Sequence, residues 1–149
     1  MKHTLVTIVV VSLLVLSLVG CAPRVTTIPA TDARLASLVG ERTEGGIRAV
    51  GKPGFLVYGP YMPLEVGTYR LTVKGSLEGE TSPIAIIDVV SDRGERVWAT
   101  RPVYANATAD VIATLAFIID RPVTDVEFRV RVAEQVLGTF VSYELVKIE

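Results

Sequence analysis

Thr68-Tyr-Arg-Leu-Thr-Val-Lys-Gly75 is the stretch that decides the fold, because apolar and polar side chains alternate along it without a break. Tyr69, Leu71 and Val73 fall on one side of such a chain, and hydroxyl and charged side chains fall on the other. A period of two is typical of a β-strand that packs one face on a core and exposes the other to water. The stretch therefore predicts a long strand with one face against the core and the other exposed to water.

Further strand-like runs follow this stretch along the chain. The segment 126–132 alternates in the same way, whereas 84–90 and 111–119 are apolar on both faces and predict interior strands. The segment 138–148 predicts a last strand, with a bulge as an option. Turn signals rich in Gly, Pro and Asp separate these runs.

The spacing of the runs predicts the fold class. About eight strands follow one another with no long amphipathic helix between them, which favours an all-β protein, an antiparallel β-sandwich, over βαβ units. We place this domain at residues 34–149. Its first part, 32–40, predicts either one or two helical turns or a first irregular strand.

The N-terminus has the pattern of an export signal. Lys2 gives a short basic head, and the apolar run Leu5 to Val19 is 15 residues long. A membrane-spanning helix needs about 20 apolar residues, so this run fits the core of a signal peptide better. We predict a cleaved signal peptide over residues 1–20.

The end of this signal, Leu18-Val19-Gly20-Cys21, resembles the lipobox of bacterial lipoproteins. The resemblance implies cleavage after Gly20 and lipidation of Cys21, so the membrane is a predicted partner through an N-terminal lipid, and the location is the bacterial cell envelope. The alternative is an ordinary signal peptide that ends in a cysteine by chance. Because Ala22 rather than Asp follows, the resemblance favours the periplasmic face of the outer membrane if the host has two membranes.

Residues 21–33 read as a lipidated tether, because the segment after Cys21 is rich in Pro and Thr and shows no periodicity. An extended chain rises about 3.1 Å per residue, so such a tether holds the domain roughly 30 Å from the membrane.

Composition excludes several functions for the mature chain. Loss of the signal leaves 14 basic and 16 acidic side chains, and this balance argues against nucleic acid as a partner. The only histidine, His3, leaves with the signal, and the only thiol, Cys21, is predicted to carry lipid. Catalysis by Ser-His-Asp or Cys-His, zinc sites of His or Cys, and disulfides are thereby excluded. We predict that the domain is not an enzyme, with a carboxylate-based enzyme as a distant alternative.

Two segments carry a resemblance to a known group of sandwiches. Tyr58 to Val73, with Gly-Pro-Tyr, Pro-Leu and Gly-x-Tyr in that order, and Gly138 to Leu145 resemble the galactose-binding-like and carbohydrate-binding jelly rolls. The resemblance implies a jelly-roll-like sandwich and glycan binding through loop aromatics and polar side chains. Many relatives hold a structural calcium ion. No complete pattern of calcium ligands is found in this sequence, so we predict no cofactor, with calcium as the alternative that the resemblance leaves open.

Four residues are candidates for ligand binding by type and position: Tyr58, Tyr61, Trp98 and Arg101. Aromatic rings suit the apolar side of a sugar, and planar polar groups suit its hydroxyls. Tyr61 lies between Pro60 and Met62-Pro63, where a strand is not expected. The structural alternatives are that Trp98 belongs to the core and that the two tyrosines close one end of the sandwich.

Asp88 is the fifth candidate, because it interrupts the apolar run 84–90. An unpaired buried carboxylate is costly, so it needs a partner, which Arg70, Arg101 or Arg129 across the sheet would supply. The functional alternative is an acid that binds ligand. Our leading hypothesis is a noncatalytic lipoprotein that binds glycan or takes part in polysaccharide handling, and the alternative is an envelope lipoprotein that docks on another protein and binds no sugar.

Overall fold

The computed structural model describes residues 22–104 and 110–149. The predicted signal peptide and Cys21 lie outside the described residues. Within them, no helix is long and apolar enough to cross a bilayer. Ten strands form: β1 (Val25–Pro29), β2 (Gly40–Thr43), β3 (Gly46–Val50), β4 (Gly54–Leu64), β5 (Gly67–Glu78), β6 (Ala85–Ser91), β7 (Arg96–Val103), β8 (Val111–Ile119), β9 (Val123–Val132) and β10 (Leu137–Lys147).

The strands form two antiparallel sheets. The six-stranded sheet has the order β2-β3-β10-β5-β8, and β1 also pairs with β10. The four-stranded sheet has the order β4-β9-β6-β7. The prediction of an all-β antiparallel sandwich is confirmed. The two strands beyond the predicted eight are the short β1 and β2, which lie in segments without a clear alternation.

The inward side chains of both sheets meet in one core. Tyr69, Leu71 and Val73 of β5 are all buried, as the alternation predicts. Phe128 of β9 and Tyr143 of β10 pack edge to face across the two sheets, with ring centroids 5.3 Å apart. The Tyr143 hydroxyl donates a hydrogen bond to the Phe128 carbonyl oxygen at 3.2 Å, so the one polar atom of this ring has a partner.

A bulge interrupts the pairing of β10 with β5, as the sequence allows. The register shifts between Phe140 and Ser142. Gly75 lies opposite Phe140 with a φ of 133°, and a Cβ atom there would clash with the carbonyl oxygen of Thr139. Only glycine fits at this close approach of the two strands.

The prediction of a free tether over 21–33 is wrong for 25–29, which form β1. This strand pairs with β10 from Val25 opposite Val146 to Pro29 opposite Ser142. Thr and Ile favour extended structure, and Ile28 is fully buried, so the gain in apolar burial outweighs the disorder expected from composition. The described chain before the sandwich is therefore limited to residues 22–24.

Two further segments differ from the prediction. Residues 32–39 form neither a helix nor a continuous strand, but turns with a single bridge between Ala36 and Tyr58. The strand β8 lies at the edge of its sheet rather than in the interior. At this edge, the Arg101 guanidinium of β7 donates a hydrogen bond to the Thr114 carbonyl oxygen at 2.8 Å.

Candidate ligand-binding site

Polar side chains gather on the outer face of the four-stranded sheet. Strand pairing places Tyr58 of β4 opposite Arg129 of β9, and Arg129 opposite Asp88 of β6. Directly opposite residues of antiparallel strands point to the same face. Together with Glu127 and Tyr61, these residues form what we call the polar cluster.

The centre of the polar cluster is an ion pair. The Arg129 guanidinium donates to both carboxylate oxygens of Asp88, from Nε to Oδ1 at 2.7 Å and from Nη2 to Oδ2 at 2.7 Å. The two side chains are 21% and 18% exposed. The hydrogen bonds to Asp88 raise the pKa of Arg129. Of the three partners that the sequence offers Asp88, the structure selects Arg129, with the bidentate geometry that arginine forms with carboxylates.

Glu127 is the more deeply buried acid of the polar cluster, and it is 8% exposed. Its nearest cation is Arg129, with 3.8 Å between Nε and Oε1. Burial raises the pKa of the Glu127 carboxyl, and the Arg129 guanidinium and the Tyr61 hydroxyl lower it only in part. Glu127 is thus a nearly buried carboxylate whose loss of hydration is only partly offset by its neighbours Arg129 and Tyr61.

Tyr61 lies over this part of the sheet. The structure contradicts the prediction that no strand forms around it, because β4 continues through Tyr61 with a φ of 60° and register shifts on both sides of Met62. The bulges let the strand pass two prolines. The side chain remains 49% exposed, and burial, followed by the charge of Glu127, raises the pKa of its hydroxyl.

Aromatic surface borders the ion pair on the other side. The Arg129 guanidinium carbon lies 5.2 Å from the centroid of the Phe55 ring, and this ring is 6.1 Å from that of Tyr58. Tyr58 is likewise a residue of β4. One row further along the sheet, Ile86 pairs with Arg131, and both line a shallow cavity of about 260 Å³. A mostly apolar cavity with one arginine in its wall therefore lies one row of the sheet away from the polar cluster.

Trp98 and Arg101 lie away from this face. Trp98 packs against the hydrophobic core, and its indole nitrogen donates to the Ser91 hydroxyl at 3.0 Å. The Arg96 guanidinium covers the ring at 4.0 Å. Arg101 bonds to β8 rather than to Asp88. Of the five candidates from the sequence, the structure therefore brings together Tyr58, Tyr61 and Asp88, and it gives Trp98 and Arg101 bracing contacts at the β7 edge.

The sequence analysis did not assign Glu127, Arg129 and Phe55 to the site. A usable signal was present for the first two, since the alternation over 126–132 already places Glu127, Arg129 and Arg131 on one wet face. No such signal marks Phe55, because its position depends on a register shift between Phe55 and Val57.

The described residues bring together no group of three or more His, Cys, Asp or Glu side chains that suits a metal ion. The absence of a cofactor stays a prediction.

Comparison with known proteins places the fold. No protein-family model matches the chain, and no curated protein matches it in sequence. Among solved structures, it is similar to a carbohydrate-binding module of the Cellvibrio mixtus lichenase 5A, solved in complex with cellotriose. The identity is 13% and the TM-score 0.50, over 83% of this chain and 98% of the module. The chain shares the β-sandwich fold of that module.

A second similarity is to the VP2 subviral particle of infectious bursal disease virus, with 13% identity and a TM-score of 0.41 over 84% of this chain and 32% of that one.

Proposed function

We propose that the protein is a lipid-anchored component of the bacterial envelope whose sandwich binds glycan without catalysis. The lipobox-like segment 18–21 supports the anchor, and the shared fold of a module that was solved with cellotriose supports the ligand class. The mature chain that this anchor implies carries neither histidine nor a free thiol, which favours a noncatalytic role.

The single observation that carries glycan binding is the composition of the outer face. The Tyr61 ring is half exposed, and the Phe55 and Tyr58 rings are in edge contact beside a planar Arg129–Asp88 pair. Aromatic faces pack against the C–H groups of a pyranose, while carboxylate and guanidinium groups bond its hydroxyls. Such a surface suits a neutral or weakly charged sugar chain.

One observation favours a second function, docking on another envelope protein. Asp88 and Arg129 already satisfy each other through two hydrogen bonds, which leaves fewer free polar groups for hydroxyls than an open binding site has. A protein surface would use the same rings as apolar anchors.

The lipidated protein in detergent, applied to a glycan array and to bacterial polysaccharides, separates the two functions. We expect binding to at least one glycan class, with a loss of about fivefold for Tyr61→Ala, since one aromatic contact contributes about 1 kcal/mol. Absence of binding to every glycan, together with a stable protein partner after crosslinking in cells, would overturn glycan binding.

Mass spectrometry of the membrane fraction tests the anchor. We expect a mature N-terminus at Cys21 with added acyl mass, and we expect Cys21→Ala to leave the precursor uncleaved. A mature N-terminus at Cys21 without added mass would refute lipidation.

A further inference from the structure

One end of the six-stranded sheet exposes apolar side chains that the core does not use. Val25, Val66, Ile118 and Ile148 are 53%, 51%, 64% and 47% exposed, respectively. We call this group the apolar end.

Strand pairing brings these residues to one place. The backbone nitrogen of Ile148 donates to the Thr68 carbonyl oxygen, and Thr68 pairs with Ile118. Val25 pairs with Val146 in the next row, and Val66 lies in the turn that precedes β5. Since neighbouring strands are about 4.8 Å apart, the four strands β1, β10, β5 and β8 spread the group over about 15 Å.

The chain that leads to the predicted lipid leaves from this same end. Only residues 22–24 lie between Cys21 and the first residue of β1. Four peptide units reach at most about 14 Å, and the headgroup layer of a bilayer takes up roughly half of that distance. An anchored sandwich therefore has no room to turn a different end toward the membrane.

We propose that the apolar end is a membrane-docking surface, on which the sandwich rests in the headgroup region beside its own lipid. This inference rests on the lipid anchor proposed above. The occupant is the bilayer rather than a protein, because residues 22–24 are too short to hold the anchored sandwich away from the membrane, whichever proteins are nearby.

The charges around the apolar end indicate which lipid property matters. Arg24, Arg70 and Lys147 contribute positive charge, and Glu65 and Glu149 contribute negative charge. Because both signs are present and neither is in large excess, we expect docking to depend mainly on apolar contact rather than on anionic lipid, and the long basic side chains reach the headgroups while their stems lie on apolar surface.

The test uses the lipidated full-length protein reconstituted into vesicles, with a bimane fluorophore on Ile118→Cys. Its matched control is Leu137→Cys, at the opposite end of β10 and also half exposed. The vesicles contain brominated phosphatidylcholine, which quenches fluorophores near the acyl chains. We expect at least twofold stronger quenching at position 118 than at position 137, unchanged between low and high salt.

The two proposals fail in different ways. A protein without acyl mass that does not associate with vesicles overturns the anchor, and the docking inference with it. A lipidated protein that associates with vesicles but shows equal quenching at both positions overturns docking alone. Shielding of position 118 from aqueous iodide without vesicles overturns it in favour of a protein partner or a second copy.

Discussion

The carboxylate of Asp88 and the guanidinium of Arg129 meet in parallel on the outer face of the four-stranded sheet, with two nitrogen–oxygen distances of 2.7 Å. The pair joins β6 to β9, the two central strands of that sheet. It explains how a carboxylate is tolerated in a strand that is otherwise apolar, because each charge is satisfied by the other.

Removing Asp88 should therefore destabilise the sandwich. Asp88→Ala leaves a largely buried guanidinium without its partner, and we expect the free energy of unfolding to fall by about 1–3 kcal/mol. The control is Glu41→Ala, which breaks the Arg48–Glu41 pair, whose side chains are 55% and 57% exposed. That loss should stay below about 1 kcal/mol. Urea denaturation measures both, and equal losses would contradict a special role for the half-buried pair.

Glu127 should make stability depend on pH. Burial raises its carboxyl pKa in the folded protein, so the folded state binds this proton more tightly than the unfolded state. The resulting stabilisation is present below the unfolded-state pKa and is lost as the pH rises through the folded-state pKa. The amide of Glu127→Gln cannot ionise. Between about pH 4 and 7, unfolding experiments should show the variant gaining stability relative to wild type, and a constant difference would contradict the raised pKa.

Trp98 should contribute to stability and not to binding. Trp98→Phe keeps an aromatic ring against the core but removes the hydrogen bond to Ser91, which costs about 0.5–1.5 kcal/mol. Glycan affinity should remain within twofold of wild type, in contrast to Tyr61→Ala. Calorimetric unfolding and the glycan array measure the two effects. A loss of affinity without a loss of stability would return Trp98 to the binding site.

Tyr143 should show the value of a single hydroxyl in the core. Tyr143→Phe removes the bond to the Phe128 carbonyl oxygen while leaving the ring packing unchanged, and we expect a loss of about 0.5–1.5 kcal/mol. Glycan binding should not change, because Tyr143 is buried between the sheets. An unchanged denaturation midpoint for Tyr143→Phe would show that the hydrogen bond only compensates for the cost of removing the hydroxyl from water.

The sequence predicts those parts of the fold in which one physical signal dominates. The alternation in β5 and β9 predicts both strands and the faces they bury, because a period of two identifies the side of each residue. Glycine and proline turns mark most of the boundaries between strands. β1 and β8 were predicted less well, since pairing with a distant strand determines their place in the sheet, and neither propensity nor periodicity encodes that partner.

The candidate site depends even more on distant partners. Asp88 is recognisable as a residue that needs a counter-charge, but three arginines qualify in sequence, and only the register of β6 against β9 selects Arg129. Tyr61 lies over Glu127 because β4 bulges around two prolines, a local shift that has no clear sequence signature. The types of residue in the site were therefore easier to predict than the set that meets.

The pairing of β1 with β10 also constrains the order of events during the export that we propose. Val25 pairs with a strand that ends at Lys147, so the first strand of the sandwich finds its partner only after almost the whole of an exported chain would have crossed the membrane. Closing so long a loop is slow, and until then β1 presents unpaired backbone groups to neighbouring chains. If the chain is exported as proposed, a chain stalled in translocation would lack this closing contact, and the interval before β1 pairs is one in which a chaperone would protect it.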